Sequence, residues 1–337
     1  MMKIRFKRFT RATLFCSALI VSNQAFSLGF NYDSFSFIES PVASHVGDTT
    51  IELLGLVDLA GDFAQEAEES SIVSMDLQIG LERQLQSSKT FGTIILAEYQ
   101  SDLDDAFEAT AEMYYGGIWG ELSLGTVNKK AAELTERNTS AGKASLSFSG
   151  TSGSLSNLGL SYSGRMGPSQ YAISVDDEGR LGIGGAFQRP IDDKDYRFAI
   201  NMVSGDFDSD ESNPEVDFEF DTTSINFLTE LVYGSSIFDL ALGVEKFDSD
   251  ERSFNRNYLS LGVAHKVGAL SFSAQVLKGD VDGFDQSSYA LGAGYDLARG
   301  LSLNLGISRS NSDLDKSDLS IQSVETSKEM LSIRYQF

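Results

Sequence analysis

The sequence predicts an all-β chain closed into a transmembrane antiparallel β-barrel of sixteen strands. Three observations carry that expectation. Apolar residues come singly and alternate with polar ones from residue 49 to the end. The last residues place Leu331, Ile333, Tyr335 and Phe337 on one strand face and Ser332, Arg334 and Gln336 on the other. An export leader opens the chain, and no run of about 20 apolar residues follows it to cross a bilayer as a helix. In water, a closing strand with an apolar face and an open edge invites aggregation. In lipid it fits, because only helices and closed barrels satisfy every backbone polar group there.

The leader has a basic start (Lys3, Arg5, Lys7, Arg8, Arg11), an apolar stretch over 12–21 and a small-x-small cleavage signal at Ala25, Phe26 and Ser27. We place the signal peptide at 1–27 and the mature start at Leu28, with Ala25 as the alternative last leader residue. Residues 28–48 form a lead whose placement the pattern does not define, and 49–337 form the barrel. The single cysteine, Cys16, lies in the leader, so the mature chain is expected to have neither a disulfide nor a thiolate metal site.

Removing the leader takes away five basic residues and no acids, leaving 21 against 49 and a formal charge of about −28. That balance argues against nucleic acid as a partner. Overall hydrophobicity is ordinary at 41%, and Gly is frequent (31) while Pro is rare (4). Alternating lipid-facing and lumen-facing side chains give such a diluted signal.

In order along the chain, the alternating segments are 49–60, 71–83, 90–100, 109–119, 121–127, 155–163, 168–175, 180–188, 195–204, 222–233, 236–246, 255–266, 269–278, 287–296, 301–309 and 327–337. Their connections alternate between short turns and longer, acidic stretches such as 61–70, 101–108, 205–221, 247–254 and 310–326. Short turns on one rim and long loops on the other are what an outer-membrane barrel requires. An even count also returns both ends to the short-turn rim. The connection at 176–179 breaks the trend, since it should be long and is tight. A soluble all-β protein would share this spacing. The barrel is favoured by long apolar faces opposite small or polar ones, as in Leu301, Leu303, Leu305 and Ile307 against Ser302, Asn304, Gly306 and Ser308. Aromatics also gather at strand ends, where membrane interfaces hold them: Tyr115, Trp119, Tyr162, Tyr171, Tyr233, Tyr295, Tyr335 and Phe337.

The stretch MYYGGIWGELSLGT at 113–126 resembles the strand-turn-strand of the Gram-negative general porins. In that family an aromatic strand ends in Gly-x-x-Gly, an acidic residue follows, and the next strand reads Leu-x-Leu-Gly. The resemblance implies a sixteen-stranded barrel, usually a homotrimer, whose long third external loop folds into the pore. Here that loop would be 128–154, with a short helical turn near Ala131, Ala132, Glu133, Leu134, Thr135, Glu136 and Arg137. The charges expected at the constriction are Lys129, Lys130, Glu133, Glu136, Arg137 and Lys143, with Glu133 and Glu136 facing a basic patch across it. The chain departs from the family in having Thr126, where a basic residue often follows Leu-Gly, and no Pro-Glu-Phe-Gly-Gly segment.

If apolar positions face lipid, then Glu52, Asp58, Asp76, Glu82, Glu98, Glu112, Glu230, Asp239 and Asp296 point inward, with few inward bases, chiefly Arg197 and Arg334. Carboxylate-lined pores favour cations. The reading is therefore a water-filled channel for passive diffusion of small hydrophilic solutes and ions, preferring cations, set in outer-membrane lipid. The rivals are a channel selective for one solute class, and an outer-membrane structural or adhesion barrel or enzyme. Catalysis finds little support, because His45 and His265 stand alone at the lead and at a strand end and no Gly-x-Ser-x-Gly elbow precedes a helix. No cofactor or metal centre is implied. The acidic stretches 206–211 and 311–318 could hold Ca²⁺ weakly, though they read more simply as solvated loops.

Overall fold

The computed structural model describes residues 42–62, 72–85, 88–101, 107–125, 130–135, 137, 139, 158–208, 219–248, 253–281, 284–298, 300–312 and 324–336. The first strands are β1 (Val42–Val46), β2 (Thr49–Asp62), β3 (Ile72–Leu85), β4 (Lys89–Gln100), β5 (Phe107–Gly117) and β6 (Gly120–Gly125), followed by a helix of four residues, α1 (Lys130–Glu133). Then come β7 (Gly159–Met166), β8 (Ser169–Asp176), β9 (Leu181–Ile191), β10 (Lys194–Asp208), β11 (Glu219–Tyr233) and β12 (Ser236–Asp248). The chain ends with β13 (Ser253–Val267), β14 (Leu270–Val281), β15 (Phe284–Ala298), β16 (Leu301–Ser312) and β17 (Val324–Gln336). Every strand from β2 to β17 pairs antiparallel with the next, and β17 pairs back onto β2, so sixteen strands close the wall.

Each segment expected from the alternation overlaps one strand of the wall, β2 through β17, most of which run a few residues beyond it. A seventeenth strand, β1, comes from the part of the chain that alternation left undefined. It pairs Val42–Val46 against Leu53 to Thr49 of β2, while β17 pairs with Leu56 to Asp62 of the same edge. The closing strand thus covers only one half of the β2 edge, and β1 continues its line along the other half. Barrel closure staggers the strands, and that stagger leaves an open stretch of edge for β1 to satisfy.

The two faces invert the soluble pattern. Ser260 and Gln275 are 1% and 2% exposed, whereas their neighbours Leu261 and Val276 are 50% and 49% exposed. Large apolar side chains form the outer surface and small or polar ones line the interior, as lipid outside a barrel requires. On the rim that carries the C-terminal end, the turns are tight. Gly234–Ser235 and Gly268–Ala269 are two-residue hairpins with φ of 57° and 61° at the glycines, the conformation that follows the strand twist. The opposite rim carries the long connections, with three exceptions at 177–180, 249–252 and 282–283. At the first of these, the Asp176 carboxylate accepts the backbone N–H groups of Glu178 (3.1 Å) and Arg180 (2.9 Å) and the Arg180 Nε (2.5 Å), which builds the turn from side-chain bonds rather than length.

Candidate pore lining

All eleven charged residues expected in the lumen lie on the interior face: Glu52 and Asp58 on β2, Asp76 and Glu82 on β3, Glu98 on β4, Glu112 on β5, Arg197 on β10, Glu230 on β11, Asp239 on β12, Asp296 on β15 and Arg334 on β17. Most of them are buried. Arg334 sits opposite Asp58 across the closing seam, with its Nε 3.3 Å from Oδ2. Lys266 reaches Asp296 at 3.0 Å. Tyr114 lies over Gly92, its direct cross-strand neighbour, and donates its hydroxyl to Glu82 at 3.0 Å. A Cβ on Gly92 would fall 2.2 Å from the Tyr114 ring, so the ring needs a glycine beneath it. Tyr258 is seated over Gly243 in the same way and donates to Asn226 at 2.6 Å.

The expectation of few inward bases is corrected. Lys130, Arg137, Arg180, Arg256 and Lys266 also face interior carboxylates. Arg256 pairs with the fully buried Glu245 at 3.0 Å, holds Gln286 at 3.2 Å and stacks on Tyr258. Arg180 pairs with Asp176. These residues stand at strand ends or outside the expected segments, where the alternation was not carried through; continuing the parity of Tyr258 back two residues would have found Arg256.

Between β6 and β7, the described residues of the third long connection lie along two rows of the interior wall. One row is apolar: Ala186, Ala199, Leu228 and Ala241 are successive cross-strand neighbours, and Ala131 and Leu134 pack on them together with Ala172. The other row is polar, running Arg197, Glu230, Asp239, Gly262 and Gln275 from β10 to β14. Arg197 donates to the Leu134 carbonyl at 2.8 Å. Arg137 donates to Asp239 and to the Ser260 hydroxyl, Thr139 donates to the other Asp239 oxygen, and Gln275 donates to the Thr139 carbonyl. Gly262 forms the floor beneath this cluster, since a Cβ there would meet Thr139 Oγ1 at 2.3 Å and Arg137 Nη2 at 2.6 Å. At its other end, Lys130 bridges Glu112 (3.5 Å) and Glu121 (3.1 Å).

Of the charges expected at a constriction, Lys130 and Arg137 are therefore in contact with wall carboxylates. Hydrogen-bonding register sets this polarity, since the polar row that the segment crosses carries Glu230 and Asp239. Glu133 ends α1. Lys129, Glu136 and Lys143 lie outside the described residues, as does Phe337. The short helical turn falls where it was expected, at Lys130–Glu133.

The outward aromatics of the tight-turn rim form a contact chain. Tyr115, Trp119, Tyr162 and Tyr171 follow one another with ring centroids 5.9 Å apart, and Tyr162 donates to the Trp119 carbonyl at 2.6 Å. Tyr233, Tyr295 and Tyr335 are exposed on the same rim. Rings with an apolar body and a polar tip suit the level of lipid headgroups.

No curated protein matches the chain at a significant level. Among solved structures it resembles OmpT of Vibrio cholerae, an outer membrane protein in trimer form, with a TM-score of 0.69 and 9% identity over 86% of this chain and 99% of that one. It also resembles the anion-selective porin from Comamonas acidovorans, with a TM-score of 0.64 and 16% identity over 86% of this chain and 100% of the other. At such identities the likeness speaks for the fold. The Gram-negative porin family model matches residues 49–315, and with the closed sixteen-stranded wall and its apolar exterior this places the protein in the Gram-negative porin family, as a channel-forming β-barrel of the bacterial outer membrane.

Proposed function

We propose that this porin is a passive channel for small hydrophilic solutes and ions that prefers cations, is narrowed by the 128–154 segment and works as a homotrimer rather than as an enzyme. The observation that carries the cation preference is the pair Glu52 and Glu82 on β2 and β3. Among the described residues, Glu52 Oε2 is buried without a hydrogen-bond partner, and Glu82 accepts from the neutral Tyr114 hydroxyl. Elsewhere in the interior, Asp58, Asp176, Asp239, Glu245 and Asp296 are matched by bases. Uncompensated carboxylates in a pore lower the cost of a cation there and raise that of an anion. The anion-selective porin from Comamonas acidovorans shares this fold, so the sign of selectivity is a matter of lining side chains. Narrowing is supported by the contacts that hold residues 130–139 along the interior wall, and trimerisation by the trimeric relative.

The test is planar-bilayer recording of the purified protein across a KCl gradient. Stepwise openings with a reversal potential of cation sign are expected. An anion-signed reversal potential would overturn the preference, and a silent barrel would overturn the channel itself.

A further inference from the structure

We infer that the interior face of β2 and β4 holds the apolar body of alkylammonium ions crossing the pore, their charged end at Glu52 and Glu82, an inference that rests on the cation preference proposed above. Four aliphatic side chains form the seat: Leu54 and Leu56 on β2, Ile94 and Leu96 on β4. They share the inward parity of Glu52, Asp58 and Glu98. Leu54 and Leu96 stand on either side of the buried Gln78, and Ile94 is the direct neighbour of the buried Gly80. With strands about 4.8 Å apart, Leu54 and Leu96 are roughly 10 Å from each other, so the four make one patch.

A water-filled lumen gives such side chains no stabilisation, and barrel interiors are ordinarily polar. β16 follows that rule with Ser302, Asn304, Gly306 and Ser308 on its inner face. On the far wall the inward Leu228 is 1% exposed and packed in one cluster with Leu134, whereas the four on β2 and β4 are half-buried. In the ring of sixteen strands, β3 is eight steps from β11 in either direction. Leu54 is the sixth residue of β2 from the tight-turn rim and Leu228 the sixth of β11, so the patch faces the docked segment at similar height. A solute passing that segment moves between it and the patch.

The charges around the patch select its occupant. Glu52 precedes Leu54 on the inner face, and Glu82 lies one row nearer the rim. Glu112 is the direct neighbour of Ile94, and Asp76 that of Leu56. An anion with an apolar body is repelled by this ring of carboxylates. A small inorganic cation leaves the aliphatic side chains against water. An ammonium ion with an alkyl chain satisfies both.

Burying one methylene strengthens binding roughly fourfold, and a patch that covers one side of a chain recovers about half of that free energy, roughly twofold per methylene. The test is single-channel recording of the full-length porin in KCl with ethylammonium or pentylammonium chloride added, read as the concentration that halves the potassium current. Pentylammonium, three methylenes longer, is expected to act at a concentration roughly eightfold lower than ethylammonium. In the double variant Ile94→Thr, Leu96→Thr, with heat-modifiable migration confirming the folded barrel, the two ions should act within about twofold of each other. Equal block by the two ions in the wild type overturns the inference, as does a ratio that survives the double substitution. A cation-signed KCl reversal potential beside equal block leaves the cation preference standing; an anion-signed one removes both.

Discussion

Asp239→Asn is the sharpest perturbation of the segment that lies against the wall. The Asp239 side chain is fully buried, and it accepts from both Arg137, itself 9% exposed, and Thr139. Removing one partner of a buried ion pair costs about 3–5 kcal/mol, because the other charge is left uncompensated. Part of this is returned, since Asp239 stands directly opposite Glu230 and a like-charged cross-strand pair costs up to about 1 kcal/mol. A net loss of about 2–4 kcal/mol shifts the docked-to-released ratio of the segment by roughly 30- to 1,000-fold. The other attachments are the burial of Leu134, about 2–3 kcal/mol, the Arg197 bond to its carbonyl, about 1.5–3 kcal/mol, and the Lys130 bridge to Glu112 and Glu121 at the far end. Ordering each residue costs about 1–2 kcal/mol, so loss of the Asp239 anchor frees the end that carries Arg137 and Thr139 first. Single-channel recording should then show added current noise and excursions to a larger conductance in Asp239→Asn. Arg137→Gln combined with Asp239→Asn should recover most of the quiet behaviour, because no charge is then stranded. Wild-type conductance and noise in the single variant would sink the reasoning.

Gly262→Ala should loosen the same segment without removing a charge, since its new methyl group occupies space held by Thr139, Arg137 and Asp239; an unchanged conductance distribution would count against the glycine floor. Gly92→Ala should destabilise the barrel by about 1–3 kcal/mol, because the Tyr114 ring must leave its seat, and urea titration of heat-modifiable migration should show an earlier midpoint. The double variant Glu52→Gln, Glu82→Gln should move the KCl reversal potential toward zero while keeping the barrel folded. If the reversal potential stays where it was, the preference resides elsewhere in the lining.

The wall was legible because a strand face repeats every two residues, and lipid outside a barrel makes that repeat stark: Leu301 to Ile307 could be assigned to faces from the chain alone. What the chain did not reveal was register. Asp58 and Arg334 are 276 positions apart and become neighbours only because β17 closes onto β2, with a stagger that alternation cannot specify. The same stagger leaves half of the β2 edge to β1, which has no long alternating run to announce it. It also decides that Arg137 meets Asp239, a pairing 102 positions apart that alternation could not announce. The consequence for function is specific. Counting acids overstates the negative charge of the interior, because pairing cancels much of it along β8 to β17. Ion selectivity then depends on which carboxylates keep their charge uncompensated after closure, and the proposed cation preference is tied to Glu52 and Glu82, which lie on two adjacent strands.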